Sequence, residues 1–202
     1  TGPFILRRMK SDVLKELPPK TENVYRIELE EEQRKLYLAA VVDAREKLQA
    51  AKPEDKMAVF AVLMRLREIC CDPRLIADNW EGGSAKLDAC VELVSSAVEG
   101  GHRILLFSQF TSMLELLAKR LDAEGISHFT LQGSTPKPVR AELVRRFNGG
   151  EVSVFLISLR AGGTGLNLTA ADIVIHYDPW WNVAAQNQAT DRAYRIGQQN
   201  PV

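Results

Sequence analysis

Arg192 and Arg195 carry the most chemistry in their spacing. They lie in the run Gln188-Ala-Thr-Asp191-Arg192-Ala-Tyr194-Arg195-Ile-Gly197-Gln198. A guanidinium keeps its charge at any working pH and presents a planar fork of donors that fits phosphate oxygens. At i and i+3 on a helix, two such forks project from one face and can converge on a single anion. That arrangement suits the charge developing on a γ-phosphate during nucleoside triphosphate hydrolysis. An isolated pair of this kind reads first as two solvated surface arginines with Asp191 beside them, so the rest of the chain must decide.

A second run, Ser158-Leu-Arg160-Ala-Gly162-Gly163-Thr164-Gly165-Leu-Asn167-Leu, places three glycines in four residues. Glycines let a backbone approach a ligand closely and aim N–H groups at it. Ser158 and Arg160 add side-chain donors. On its own this loop also reads as a tight turn from a strand into a helix. It is not a Walker A loop, because no Gly-Lys-Ser/Thr follows, and the GxGxxG spacing of a dinucleotide site is absent. No strand ends in an Asp-Glu box. The chain therefore has donors to stabilise phosphate charge but no phosphate cradle, magnesium ligand or general base of its own. His102, His128 and His176 flank strands and read as ordinary packing or surface residues.

These residues need elements to hold them. The chain divides near Asp78-Asn-Trp-Glu-Gly82-Gly83, giving a helical part over residues 1–80 and an alternating part over 81–202. In the first part, Tyr37, Val41, Ala44 and Leu48 give one apolar face to a helix over 31–50. Pro53, Glu54 and Asp55 mark the start of a second helix, apolar through Met57, Phe60, Leu63, Met64 and Leu66 and ended by Asp72-Pro73. The two are expected to form an antiparallel hairpin against the main domain. The stretch Phe4-Ile-Leu-Arg7-Arg8-Met-Lys10 is basic and reads as a linker or entry segment.

After Ser84 the rhythm becomes β-α-β-α. Strands are expected over 104–107, 126–131, 152–157 and 173–177. Helices are expected after Ser84, Thr111 and Thr135, each read as an N-cap, with Gly125 closing the second. A last helix is expected over 183–196, carrying both arginines. The pattern gives an α/β fold with a right-handed parallel sheet and helices on both faces, preceded by a helical sub-domain. In such sheets ligands sit at the carboxyl ends of the strands. The loops there are 108–109, 132–135, 158–165 and 178–182.

Composition sets limits. With 202 residues and 46% hydrophobic content the chain can build one ordinary core. Lys and Arg total 26 against 26 Asp and Glu, so any nucleic-acid contact must be local rather than the work of a polycation. Three cysteines, Cys70, Cys71 and Cys90, without a CxxC pair point to reduced thiols and no metal site. No apolar run has membrane-spanning length and no signal peptide is visible. Starting at Thr1 and stopping after Val202, the chain reads as a piece of a longer polypeptide.

With these motifs in place, the chain resembles the second, C-terminal RecA-like lobe of a Swi/Snf-type ATPase of helicase superfamily two, with a bacterial or archaeal origin expected. The resemblance spans nearly the whole chain. It rests on Phe4-Ile-Leu-Arg-Arg-Met-Lys, Leu66-Arg-Glu-Ile-Cys-Cys-Asp-Pro-Arg-Leu and Ser84-Ala-Lys-Leu, then on Ile104-Leu-Leu-Phe-Ser-Gln-Phe (motif four) and Leu131-Gln-Gly-Ser-Thr. The glycine loop matches motif five, Asp178-Pro-Trp-Trp-Asn its extension, and the run from Gln188 to Gln198 motif six. Tyr194 stands where the family usually has histidine, and Val183 where it often has proline.

The resemblance implies arginine fingers at Arg192 and Arg195, completing an ATP site whose P-loop and Mg ligands lie on an N-terminal RecA-like lobe. It implies nucleotide contacts at Gln188, Gly163, Gly165 and Asn167. It places a grip on double-stranded DNA phosphates at Ser108, Gln109, Gly133, Thr135, Ser158 and Arg160, with Trp181 and Asn182 coupling that grip to ATP. It implies a translocase with a DNA-bound protein as a candidate substrate, working in the nucleoid or nucleus. The alternative is a nucleotide-independent DNA- or protein-binding module that kept the fold.

Overall fold

The computed structural model describes residues 17–50, 56–162, 165–195 and 197–202. The expectations for Phe4–Lys10, for the helix start at Pro53 to Asp55 and for Gly163 lie outside these residues.

Helix α1 spans Glu31–Ala50, with Glu31 and Glu32 in its first turn and Lys47 in its last. Both ends thus carry charge that complements the helix dipole. Helix α2 spans Lys56–Cys71. Gln33, fully buried near the start of α1, donates through Nε2 to the Ile69 carbonyl near the end of α2 at 2.8 Å. The two helices therefore run antiparallel, as the sequence predicts. Their apolar faces are less covered than expected. Ala44, Ile69 and Cys71 are buried, but Met57 is 75% exposed and Phe60 and Leu63 more than 40%. The hairpin buries its base and leaves its tip open.

The base is pinned by one carbonyl. The last carbonyls of a helix have no partner within the helix. At the end of α2, the Cys71 carbonyl accepts from Ser84 Oγ at 3.1 Å and from Tyr177 Oη at 2.8 Å. Ser84 sits at the N-cap of α3 (Ala85–Glu99) but makes no cap bond to it, because its hydroxyl serves the hairpin instead. Asp72, also buried, accepts from the Arg74 backbone and takes a two-pronged bond from its side chain at 2.8 and 2.7 Å.

The sheet contains β1 (Ile104–Ser108), β2 (His128–Leu131), β3 (Val154–Ser158) and β4 (Ile173–His176), all parallel, in the order β2-β3-β1-β4. Helices cover both faces. Ile104, Leu106, Val154 and Leu156 pack with Leu87, Val91 and Val94 of α3 and with Met113, Leu114, Leu117 and Leu121 of α4 (Thr111–Ala123). Leu105, Phe107, Phe155 and Ile157, one residue out of phase, pack with Phe147 of α5 (Lys137–Asn148). The same face takes Ala161 of the short helix α6 (Leu159–Gly162) and Ala189 of α7 (Val183–Thr190). β1 and β3 are buried along their whole length, as expected for central parallel strands.

Three local readings change. Phe110, not Thr111, is the N-cap of α4, and Pro136 that of α5. Thr135 turns its hydroxyl back to accept from the Gln132 amide at 3.0 Å. Helix α7 ends at Thr190, six residues before the expected limit. Gly125 does close α4, at φ +69°, a conformation glycine adopts without strain. The cysteines are free thiols, and burial pushes the Cys71 and Cys90 pKa values up to about 12, so neither is poised as a nucleophile.

His176 stacks on Phe107 with ring centres 5.6 Å apart, and its Nε2 pairs with Thr190 Oγ1 at 2.9 Å. Burial lowers its pKa, Lys20 adds to the effect and Glu22 opposes it. Folding therefore favours the neutral ring. Its contribution is complete above the unfolded-state pKa of about 6.5 and is lost as pH falls below that value. In urea unfolding of the 202-residue chain, the wild-type midpoint should drop between pH 7.5 and 5.5. His176→Gln should drop visibly less; parallel pH profiles would refute the assignment.

Candidate nucleic-acid and nucleotide interface

The parallel register brings the carboxyl ends of the strands level. Ser108 lies opposite Ser158 across β1 and β3, and Phe107 opposite His176 across β1 and β4. The loops that follow therefore share one edge of the sheet. Ser108 and Ser158 are both buried. Ser108 Oγ accepts from the Phe110 amide at 3.1 Å, and Ser158 Oγ accepts from Ala161 at 3.3 Å. Their hydroxyls shape the turns leaving the strands. Gln109 is half-buried, and its Nε2 is covered with no hydrogen-bond partner among the described residues. Arg160 is exposed at the start of the glycine loop.

The 132–135 turn is held by a residue that the sequence did not single out. Arg140, from the first turn of α5, donates Nε to the Thr135 carbonyl at 2.8 Å and Nη2 to the Gly133 carbonyl at 2.7 Å. Gly133 is exposed with open space where a Cβ would stand, and Thr135 is half-buried. No spacing rule links Arg140 to that turn, since the contact runs backward from a helix into the preceding loop.

The arginine segment differs from its expected form. Beyond Thr190 the backbone continues as turns, with Arg192 N bonded to the Ala189 carbonyl at 3.1 Å and Ala193 N to that of Thr190 at 3.1 Å. The two arginines therefore do not share a helical face. Arg192 is only 8% exposed, whereas Arg195 is exposed. Burial lowers the Arg192 pKa, the Arg195 charge lowers it further and Asp191 opposes both. The two cations are thus close enough to repel. The Arg192 carbonyl accepts from the Leu168 amide at 2.9 Å, which ties this segment to the exit of the glycine loop.

Gln188 is exposed on α7, and Gly165 and Asn167 are exposed on the loop. Gly165 adopts φ +60° with open space around it. The Asn167 carbonyl accepts from Asn148 Nδ2 at 2.9 Å. Gln198, buried, donates to the Ala171 and Ala193 carbonyls at 2.7 and 3.2 Å and accepts from the Gln199 and Asn200 amides. The end of the motif is thus a structural knot.

Across the edge, Asp178 is 3% exposed and accepts from the Gln109 amide at 3.0 and 3.2 Å. Burial raises its pKa, against the hydrogen bonds of Ser108 and Gln109 and the charges of Lys86 and Arg67. Beside it, Trp180 and Trp181 pack at 4.3 Å between ring centres, with Phe60 of α2 edge-on to Trp181 at 5.8 Å. Trp180 is half-buried, in keeping with a packing role, while Trp181 is 52% exposed. Asn182 is exposed and caps α7 by accepting from Ala185 at 3.3 Å. Arg67, Asp178, Lys86, Tyr37 and Trp181 line an open groove of about 440 Å³ between the hairpin and this edge.

The edge thus offers exposed donors and an aromatic face. Among the described residues no cluster of three His, Cys, Asp or Glu could hold a metal ion. No helix among them is long and apolar enough to cross a membrane.

Residues 85–197 match the helicase conserved C-terminal domain family, and residues 1–75 match the SNF2-related domain family. An uncharacterized ATP-dependent helicase of Mycoplasma pneumoniae is 40% identical over 207 residues, covering 100% of this chain and 20% of that protein. The SWI/SNF-related matrix-associated actin-dependent regulator of chromatin subfamily A member 1 of Mus musculus is 39% identical over 214 residues, covering 99% and 20%. The chain spans about a fifth of the length of these curated relatives. Its structure is similar to the Sulfolobus solfataricus SWI2/SNF2 ATPase core in complex with dsDNA, with a TM-score of 0.79 and 31% identity over 100% of this chain and 44% of that one. The C-terminal domain of the same ATPase matches with a TM-score of 0.74 and 29% identity, over 84% of this chain and 76% of that one. The chain belongs to the helicase conserved C-terminal domain family, as the C-terminal RecA-like lobe of a Swi/Snf-type superfamily-two helicase.

Proposed function

We propose that this chain is the C-terminal motor lobe of an ATP-dependent translocase on double-stranded DNA. The observation that supports it most is the exposed Arg195, carried on a turn tied through the Arg192 carbonyl to the end of the glycine loop. An exposed guanidinium can reach a phosphate on a facing lobe with both prongs of its fork. In this reading Arg195 is the arginine finger that meets the γ-phosphate. Arg192 is the buried member that sets the segment's position and adds positive potential. Gln188, Gly165 and Asn167 form the near wall of the nucleotide site.

The phosphate cradle and the Mg ligands belong to an N-terminal RecA-like lobe, where a bound magnesium ion would neutralise phosphate charge. Gln109, Gly133, Thr135, Arg160, Trp181 and Asn182 grip DNA phosphates, while Ser108 and Ser158 hold the loops in shape. Gln109 must swing its covered amide outward to take part. Phosphate contacts carry no sequence information, so movement along DNA is indifferent to sequence. A DNA-bound protein is the object moved, inside the cell. The helical part, 1–80, links the lobes, and 81–202 is the lobe proper.

Three outcomes test this reading. In the full-length protein, Arg195→Ala should lower the DNA-stimulated kcat for ATP on the order of a thousandfold, with poor rescue by Arg195→Lys. Near-normal kcat would favour a nucleotide-independent binding module instead. In denaturation of the 202-residue chain, Arg192→Ala should cost about 1–3 kcal/mol through lost buried packing, and Arg195→Ala nothing measurable. Equal costs would contradict the division of roles. The 202-residue chain alone should hydrolyse no ATP above background and bind duplex DNA weakly, with affinity falling steeply as salt rises. Tight binding to one sequence at physiological salt would exclude a phosphate-only grip.

A further inference from the structure

Arg67 joins two regions that lie 112 residues apart in the chain. From α2 its Nη2 donates to the Pro179 carbonyl at 2.8 Å and stands 3.9 Å from Asp178 Oδ2. Its guanidinium carbon lies 4.8 Å from the Trp181 ring centre and 5.1 Å from that of Trp180, within reach of a cation–π attraction. Asp178 in turn accepts from the Gln109 backbone amide. One side chain thus contacts the 178–182 loop by a hydrogen bond, a charge and two aromatic faces, and reaches the 108–109 loop through a single carboxylate.

The burial of these groups makes the linkage stiff. The Asp178 side chain is 2% exposed and that of Arg67 20%. A buried carboxylate is stable only while its hydrogen bonds and opposite charge persist. Removing Arg67 takes a cation from Asp178, a donor from Pro179 and a stacking partner from both indoles. The carboxylate keeps the Lys86 charge and the hydrogen bonds of Ser108 and Gln109 but loses its tie to the hairpin, so the acceptor of the Gln109 amide is held less firmly. Trp181, exposed on the loop, loses the guanidinium that lies over its ring.

We propose that Arg67 is a positioning residue for the DNA-facing edge, locking the 178–182 and 108–109 loops to the helical hairpin so that they meet DNA as one body. This rests on reading that edge as a DNA grip. The contacts of Arg67 are with the 178–182 loop, so its loss acts first on DNA engagement.

The test uses the full-length protein, with DNA titrations of its ATPase rate and amide exchange at Gln109 without DNA. Arg67→Ala should raise the half-saturating DNA concentration about tenfold, leaving the ATP KM and the DNA-free rate unchanged, and should speed Gln109 exchange about tenfold. Arg67→Lys should fall between, since an ammonium keeps the charge and a donor but lacks the planar face for two indoles. Combining Arg67→Ala with Asp178→Asn should be no worse than the larger single effect, as for residues acting through one contact. Half-saturation within twofold of wild type with unchanged Gln109 exchange would overturn the proposal. So would a uniform fall of DNA-free rate, ATP affinity and melting temperature, which marks a scaffold residue. If the wild-type protein shows no stimulation by DNA, the motor reading fails separately. The exchange rate at Gln109 then decides alone, faster exchange in Arg67→Ala supporting the lock and unchanged exchange refuting it.

Discussion

Everything at the candidate site depends on the register of three parallel strands. β1 pairs with β3 from Ile104↔Val154 to Ser108↔Ser158 and with β4 from Ile104↔Ile173 to Phe107↔His176. The register is enforced by side chains on both faces. Leu106 and Leu156 face α3 and α4, while Leu105 and Phe155, their neighbours in sequence, belong to the opposite core. A slip by one residue would exchange these sets, and each core is shaped for its own. With the register fixed, the strands end level. The 108–109, 158–162 and 178–182 segments then leave from one edge, and the Tyr177 amide bonds the Phe107 carbonyl at 3.0 Å to keep the last of them close.

The hairpin is the second body fixed to this frame, and its anchor is polar. The Cys71 carbonyl takes two hydroxyl donors, from Ser84 before α3 and Tyr177 after β4. Both serve one carbonyl that the helix end leaves open. Arg67 adds a second attachment one turn earlier. The exposed tip at Met57 and Phe60 follows from this attachment at the base.

Most of the fold is legible in the sequence because its signals are strong and local. Four short apolar runs between amphipathic helices fix the parallel sheet, and the hairpin follows from the spacing of Tyr37, Val41 and Ala44. The arginine segment is misread because turns bonded i to i−3 repeat nearly as a helix does, so the periodicity continues past Thr190 where the helix stops. Ser84 and Thr135 have the composition of caps, yet their hydroxyls bond to Cys71 and Gln132. Of the candidate residues that the motifs mark, Arg160, Gln188, Arg195, Trp181 and Asn182 are exposed. Which members are buried is not, because the burial of Arg192, Ser108 and Ser158 depends on packing between distant segments. Arg67 and Asp178 lie in quoted motifs, but their contacts, like those of Arg140, carry no local signal, as each acts on a loop belonging to another element.

The central claim is that the carboxyl edge of the sheet is the face that meets DNA. Hydrogen exchange read by mass spectrometry on the full-length protein, with and without duplex DNA and bound nucleotide, tests it most directly. The account predicts slowed exchange at 108–110, 132–135, 158–162 and 178–182, with no change at 100–103, 124–127 and 149–153 on the opposite edge. Protection confined to that opposite edge, or no protection anywhere in the chain under saturating DNA, would contradict it.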